Sequence, residues 1–399
     1  MSLNTVPSAE RIHIGFFGCR NVGKSSLVNG VTGQDLAVVS PVKGTTTDLV
    51  SKAMELLPLG PVVIIDTPGF DDEGLLGDLR IRKTKQMLNR TDIAVLVVDA
   101  VNGLTDYDRQ LQGFFAEKKI PYLVAYNKCD LLPKVPVNQG NEVYVSATKG
   151  LGIDELKQGL ARLAPQDDKR PLVCDLLAEG DKVVLVCPID EAAPKGKIIL
   201  PQQQTLRDIL DANAVALVTQ PATLAATLQD LKVLPKLVIT DSQALGVVSK
   251  IVPETVTLTT FSILMSRYKG FLQTAALGIK AAEKLVEGDK ILMAEGCTHH
   301  RQCKDIGTVK IPQLLQKYCH CNLVFETCSG RDFPDDLSPY AMVIHCGGCM
   351  LTDRDVQYRM QCAVDRGVPF TNYGIALAQR TGTLERTLRC FPAIHNLME

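Results

Sequence analysis

From Ile12 onward the chain alternates short apolar runs with amphipathic stretches. Ile12 to Phe17 is strand-like and passes into Gly18-Cys19-Arg20-Asn21-Val22-Gly23-Lys24-Ser25, after which Ser26 to Val31 has a helical pattern. Apolar strand candidates recur at Val62 to Asp66, Ile93 to Asp99, Tyr122 to Asn127 and Val143 to Ser146. Helical patterns lie between them at Asp78 to Leu88 and Asp106 to Glu117. Alternation of this kind predicts a doubly wound α/β sheet. A last helix, Ile153 to Leu163, closes the unit, and the polar, proline-flanked stretch Pro165 to Pro171 reads as a linker, which sets a first domain at 1–168.

Beyond the linker the alternation resumes on a smaller scale. Lys182 to Cys187, Val215 to Thr219, Leu237 to Thr240 and a stretch near Thr255 to Leu258 are strand-like, with helix-like Thr205 to Ala212 and Ala222 to Leu231 between them. This second α/β unit, 169–259, has no histidine and no Gly-rich loop, so a scaffold or dimerisation role is expected of it. The third unit, 260–399, opens on helix-like Phe271 to Val286 and continues with strands at Lys290 to Ala294, Asn322 to Glu326 and Ala341 to Ile344. Two of these strands lead straight into cysteine groups, at Cys297 and at His345-Cys346. In open α/β sheets, crevices form past the carboxyl ends of strands, so the two groups are expected to converge.

Composition narrows the choice of partners. Lys and Arg total 43 against 44 Asp and Glu, without a basic run that would track a phosphate backbone, so nucleic acid is not expected as the main partner. Apolar runs stay strand-sized, far below the roughly 20 residues that span a bilayer, and the first ten residues lack the regions of a signal peptide. A cytoplasmic protein without membrane association is the expectation. Thirteen cysteines in a reducing compartment are then metal ligands or small core residues, and nine of them follow residue 290.

The segment Gly18 to Ser25 carries phosphate chemistry. Its glycines let the backbone wrap phosphates, Lys24 supplies a cation to the β and γ phosphates, and the Ser25 hydroxyl can ligate magnesium. Val22, Gly23 and Ser26 complete the loop at a helix N-terminus, whose dipole adds to the anion site. Asp66-Thr67-Pro68-Gly69 ends a strand, with Asp66 near the magnesium and the Gly69 amide where a γ-phosphate would sit. Asn127-Lys128-Cys129-Asp130 ends another; the Asp130 carboxylate matches two donors on the guanine edge, and Ser146-Ala147 completes the base pocket as in other GTPases. Lys24, Thr46, Asp66 and Gly69 are the expected catalytic set.

Lys43-Gly44-Thr45-Thr46-Thr47-Asp48 resembles the first switch of the translation-factor-type GTPases. Thr46 is then the second magnesium-binding hydroxyl, with Thr45 the alternative, in a loop ordered by γ-phosphate and released on hydrolysis. Phe70 follows Gly69 where Ras-type GTPases carry the glutamine that orients water, so slow intrinsic hydrolysis is expected. Asn21 resembles the asparagine that marks the potassium-activated GTPases related to the tRNA-modification GTPase; the alternative is that it only caps the loop.

Cys297-Thr298-His299 and His345-Cys346-Gly347-Gly348-Cys349 form a second cluster. Three thiolates and two imidazoles suit either zinc, closed as Cys3His, or an iron–sulfur cluster, and spacing does not decide between them. A GTPase domain, a middle domain and a C-terminal Cys-x-His with a distant His-Cys-x-x-Cys together resemble HydF, the maturation GTPase family of [FeFe]-hydrogenase, over the whole chain. The resemblance implies that Cys297, Cys346 and Cys349 hold a [4Fe-4S] cluster whose fourth iron is open or weakly capped. It gives His299 and His345 a role as fourth ligand or in support of the ligands. It further implies a homodimeric scaffold that carries a transient diiron precursor, works with radical-SAM maturases and passes its cargo to apo-[FeFe]-hydrogenase. Cys303, Cys319, Cys321 and Cys328 lack a matching motif and read as structural.

Two other readings share the first domain. One is an RNA-linked GTPase of tRNA modification or ribosome assembly, which needs a basic module in place of the neutral middle unit. The other is a GTPase with a purely structural C-terminal zinc.

Overall fold

The computed structural model describes residues 7–33, 50–67, 84, 86–165, 170–189, 198–296, 306–330, 333–334 and 336–398. The chain divides into two compact units, 1–168 and 169–399.

The first unit is a six-stranded sheet. Its elements are β1 (Ile12–Phe17), α1 (Lys24–Thr32), β2 (Val50–Leu56), β3 (Gly60–Asp66), β4 (Ile93–Asp99), α2 (Asp106–Glu117), β5 (Tyr122–Asn127), β6 (Glu142–Tyr144) and α3 (Ile153–Leu163). The strand order is β2-β3-β1-β4-β5-β6, parallel throughout except that β2 runs against β3. The inner strands are covered on both faces, which is why they are apolar almost without interruption: Ile93 to Val98 are all fully buried. One face packs Phe16, Leu27, Val95 and Leu156, and the other packs Phe17, Leu96, Leu111 and Phe115.

The antiparallel strand β2 was not expected from the pattern of the sequence. It is an edge strand whose Ser51, Lys52 and Glu55 are exposed, so it lacks the apolar run that marks its neighbours. β6 is shorter than expected, because Ser146 leaves the ladder to bridge Leu151. Of the helix expected over Asp78 to Leu88, most lies outside the described residues, as does the middle of the expected linker.

The second unit contains two four-stranded parallel sheets. The first holds β7 (Lys182–Val186), β8 (Val215–Thr219), β9 (Leu237–Thr240) and β10 (Thr257–Thr260) in the order β10-β9-β7-β8. Around it lie α4 (Leu200–Asp211), α5 (Leu224–Asp230) and α6 (Leu245–Ile251). Next come α7 (Phe261–Tyr268) and α8 (Leu272–Gly278), which continues as a 3-10 turn over Ile279–Lys284. A single helix from Phe271 to Val286 was expected; the α-helix ends at Gly278, where the chain crosses the Phe370 backbone so closely that a Cβ would lie 2.1 Å from its carbonyl oxygen.

The last sheet holds β11 (Lys290–Glu295), α9 (Ile311–Cys319), β12 (Val324–Ser329), β13 (Met342–His345), α10 (Asp353–Asp365) and β14 (Phe370–Asn372), with strand order β12-β11-β13-β14. Helices α11 (Tyr373–Arg380), α12 (Leu384–Leu388) and α13 (Pro392–His395) complete the chain. One apolar core runs unbroken from Leu172 to Phe391 through both sheets, and β10 passes directly into α7 with Thr260 as its cap. Arg386 of α12 ties the two parts together, donating to the carbonyls of Ser249 (2.9 Å), Val252 (2.9 Å) and Pro253 (2.7 Å). These bonds supply the carbonyls at the end of α6 with the partners that a helix C-terminus requires.

Candidate functional site

The loop between β1 and α1 has a backbone that only a few residues tolerate. Gly18 has φ 142° and a Cβ there would stand 2.2 Å from the Val97 carbonyl; Gly23 has φ 86° and a Cβ would stand 2.4 Å from Asn127 Nδ2. Asn21 is exposed and also left-handed, at φ 62°, a conformation to which asparagine is better suited than most side chains. Lys24 starts α1, is buried, and its Nζ donates to the carbonyls of Gly18 (2.8 Å) and Cys19 (2.5 Å), which holds the cation within the loop. Val22 is buried beneath it and Ser26 is half-buried in the first helical turn.

Ser25 Oγ donates to Asp66 Oδ2 at 2.7 Å, joining the loop to the end of β3. The other oxygen, Asp66 Oδ1, is buried without a hydrogen-bond partner among the described residues. Burial raises the Asp66 pKa, while the Ser25 hydrogen bond and the Lys24 charge pull it back down. An orphaned carboxylate oxygen beside a serine hydroxyl is a hard-oxygen pair of the kind that magnesium takes.

Asn127 links the loop to the expected base pocket. Its Nδ2 donates to the Val22 carbonyl (2.8 Å) and its Oδ1 accepts from the Ala147 amide (3.0 Å). Lys128 is left-handed, φ 66°, and its Nζ pairs with Asp99 Oδ2 at 2.6 Å. Asp130 is exposed in the turn Cys129–Leu131, and Ser146 is buried, its Oγ accepting from the Lys149 amide at 3.2 Å. Thr45, Thr46, Gly69 and Phe70 lie outside the described residues. The sequence marks Asp99 only as the end of a strand and gives no sign of its pairing with Lys128.

The second site is built on β11 and β13, which lie side by side with Ala294 opposite His345. Gly296 follows β11 and Cys346 follows β13. The Gly296 amide donates to Cys346 Sγ at 3.1 Å and the Gly348 amide donates to the same sulfur at 3.4 Å. Cys297 and His299 lie outside the described residues, so the observed convergence is between Gly296, the neighbour of Cys297, and Cys346. Two backbone donors aimed at one sulfur favour its anionic, metal-bound form, so the donor set fits a thiolate-held iron–sulfur cluster and also a thiolate-held zinc. Burial raises the Cys346 thiol pKa, opposed by those two amides and by the Arg359 charge; burial pushes Cys349 up to about 11, with Lys269 pulling the other way.

His345 is fully buried between the rings of Phe271 and Phe370. Arg359 Nη1 lies 3.3 Å from its Nε2, and a guanidinium can only donate, so Nε2 accepts and the proton sits on Nδ1. That Nδ1 is 2.6 Å from the Cys346 carbonyl, to which it donates. Burial, then the Arg359 charge, lower the His345 pKa to about 3, and the ring is neutral. Both ring nitrogens therefore have protein partners, and neither is free to cap an iron in this arrangement.

Three further cysteines of this unit have partners of their own. Cys328 is buried in the core, Cys319 Sγ donates to the Ala282 carbonyl (3.2 Å) and Cys321 Sγ lies 3.8 Å from the Leu285 carbonyl; Cys303 lies outside the described residues. Arg359 was also missed from the sequence. It shares the buried face of α10 with Val356 and Ala363, and an arginine on an apolar stripe was the available signal.

Residues 13–128 match the family model described as 50S ribosome-binding GTPase, and with the loop geometry above this makes the first unit a P-loop GTPase domain. Domains of this class bind GTP and GDP with Mg2+. Residues 172–270 match the hydrogen maturase F dimerization domain and residues 273–390 match the hydrogen maturase F tetramerization domain. The chain belongs to the hydrogen maturase F family, HydF.

Among curated proteins it is similar to the tRNA modification GTPase MnmE of Bordetella petrii, 34% identical over 156 residues, which covers 39% of this chain and 34% of that one. It is also similar to GTPase Der of Kosmotoga olearia, 29% identical over 237 residues and covering 53% of each. The chain thus spans from about a third to about half the length of these relatives. Among solved structures, Aquifex aeolicus Era bound to GDP and aluminium fluoride is 21% identical with a TM-score of 0.35, covering 52% of this chain and 92% of that one. No described helix is long and apolar enough to cross a membrane.

Proposed function

We propose that this protein hydrolyses GTP to GDP and phosphate and couples nucleotide state to a [4Fe-4S] scaffold that assembles or delivers a diiron precursor to apo-[FeFe]-hydrogenase. The observation that supports the reading is the Gly296 amide on Cys346 Sγ, a contact between the residue that precedes Cys297 and the second cysteine motif in a HydF-family chain. Cys297, Cys346 and Cys349 are the ligands. When bound, the cluster supplies an iron with an exchangeable position, open to a bridging ligand of the cargo. His345 holds the Cys346 carbonyl, which leaves His299 as the histidine available to that iron. Radical-SAM maturases and the apo-hydrogenase are the expected partners, the cytoplasm the expected location, and the two family oligomerization domains support a homo-oligomer, with the middle domain, 169–259, as the dimer contact. Residues 260–399 form the cluster domain and 1–168 the GTPase domain.

In the nucleotide site Lys24 would hold the β and γ phosphates, Ser25 and Thr46 would ligate Mg2+, whose charge would offset that of the phosphates, Asp66 would stand beside the ion and Gly69 would present its amide to the γ-phosphate. Asp130 selects guanine. Phe70 leaves the attacking water without an orienting amide, so turnover is slow.

Anaerobic reconstitution with iron and sulfide tests the scaffold. The protein is expected to turn brown, with a broad charge-transfer band and a paramagnetic signal on reduction. A colourless protein with stoichiometric zinc defeats the reading. Asn21 lies exposed at the loop, where it can offer its side-chain oxygen to potassium, and faster hydrolysis in potassium than in sodium is expected. Equal phosphate-release rates in the two salts remove the ion from the mechanism.

A further inference from the structure

Arg359 of α10 is buried, and its guanidinium reaches the ends of three adjacent strands. Nη2 donates to the Gly330 carbonyl at 2.5 Å, just past β12. Nη1 lies 3.5 Å from the Glu295 carbonyl at the end of β11 and 3.3 Å from His345 Nε2 at the end of β13. Its face lies 5.2 Å from the centre of the Phe333 ring. All of these partners are neutral, and no carboxylate among the described residues stands within ion-pair distance of it. Lys269 gives the contrast: it is just as buried, at the other cysteine, but its Nζ pairs with Asp353 Oδ1 at 2.8 Å and with the Leu351 carbonyl at 2.9 Å.

A buried cation is costly unless an anion offsets it. The strand ends that Arg359 ties together are the ones that lead into Cys297 and Cys346. A cluster held by three thiolates carries net negative charge, and that charge grows by one on reduction. Carbonyl contacts fix the position of the guanidinium, so its charge acts on the cluster site through a low-dielectric interior.

We infer that Arg359 is a positioning residue for the cluster site, clamping the strand ends that carry Cys297 and Cys346 and supplying the buried positive charge that favours the reduced cluster. The inference rests on the cluster reading above. Cluster potentials respond to net charge and to the surrounding hydrogen bonds, so the sign of the effect is fixed: removing the cation disfavours the more negative, reduced state.

The test is a dithionite titration of reconstituted full-length protein, followed by paramagnetic resonance, with iron and sulfide measured in each sample. Arg359→Met is expected to move the midpoint to a more negative potential, while Arg359→Lys, which keeps the charge, stays near the wild type. Arg359→Gln keeps a donor for a carbonyl but drops the charge, so it serves if the methionine variant does not fold, and it should shift in the same direction. A purely structural staple would lower the thermal midpoint and leave the potential in place; an unchanged potential in a charge-removed variant with wild-type iron content overturns the inference. Wild-type protein that takes up no cluster overturns the cluster reading itself, and with it this one, and is recognised before any variant is made.

Discussion

Lys24→Ala lowers GTP turnover by about 10²–10³-fold, the cost found when one fixed electrostatic donor is removed from a transition state. Lys24 is held by the Gly18 and Cys19 carbonyls inside a loop whose glycines admit no side chain, so its ammonium cannot be replaced by a neighbour. In the transition state, charge spreads over the γ-phosphoryl oxygens, and the positioned cation meets it without reorganisation. Phosphate release at saturating GTP reads the effect, with a fluorescent GDP analogue reporting binding. The fold should survive, because the ammonium's hydrogen bonds to the Gly18 and Cys19 carbonyls lie within the loop itself. Wild-type turnover in Lys24→Ala would place the hydrolytic site elsewhere in the chain.

This site was legible in the sequence because its parts are local. A strand, a Gly-rich loop and a helix N-terminus lie within about two dozen consecutive residues, and Asp66 and Asn127 each end an apolar run. What the sequence concealed were the connections. Asn127 touches Val22 across 105 positions and Lys128 touches Asp99 across 29, and neither pairing has a local pattern. Edge strand β2 escaped notice because one side of it is solvated, and the short helices α6 and α7 because about two turns are too few to show an amphipathic period.

The cysteine site was legible to a different extent. That β11 and β13 end at one edge of the sheet follows from apolar runs that stop just before cysteine groups, and the adjacent pairing of the two strands brings Gly296 to Cys346. The role of His345 was not legible. Whether a histidine beside a cysteine faces a metal or the backbone depends on who occupies its far nitrogen, and here the occupant is Arg359, a residue 14 positions away on a helix. The unbroken core from Leu172 to Phe391 was hidden for a similar reason: pattern shows where elements lie, but not which of them share an interior.

Cys346→Ser is the largest effect expected at the second site: loss of the charge-transfer band after reconstitution, with GTP hydrolysis unchanged. Cys346 Sγ is the atom on which the Gly296 and Gly348 amides converge, so it is the best-supported sulfur among the described residues. Serine keeps an acceptor of similar shape for those amides, which protects the strand ends, but an alkoxide is far harder to form than a thiolate and is a hard donor to a soft site. With three protein ligands in the proposed set, losing one leaves two, and the cluster has no third anchor. Hydrolysis is carried by residues of the first compact unit, and Cys346 belongs to the second, so the two deletions should act independently. The measurement is absorption and iron content alongside phosphate release for each variant. A Cys346→Ser protein that keeps full iron and its band would remove Cys346 from the ligand set, and one that also lost hydrolysis would mean that the two chemistries are coupled through the fold.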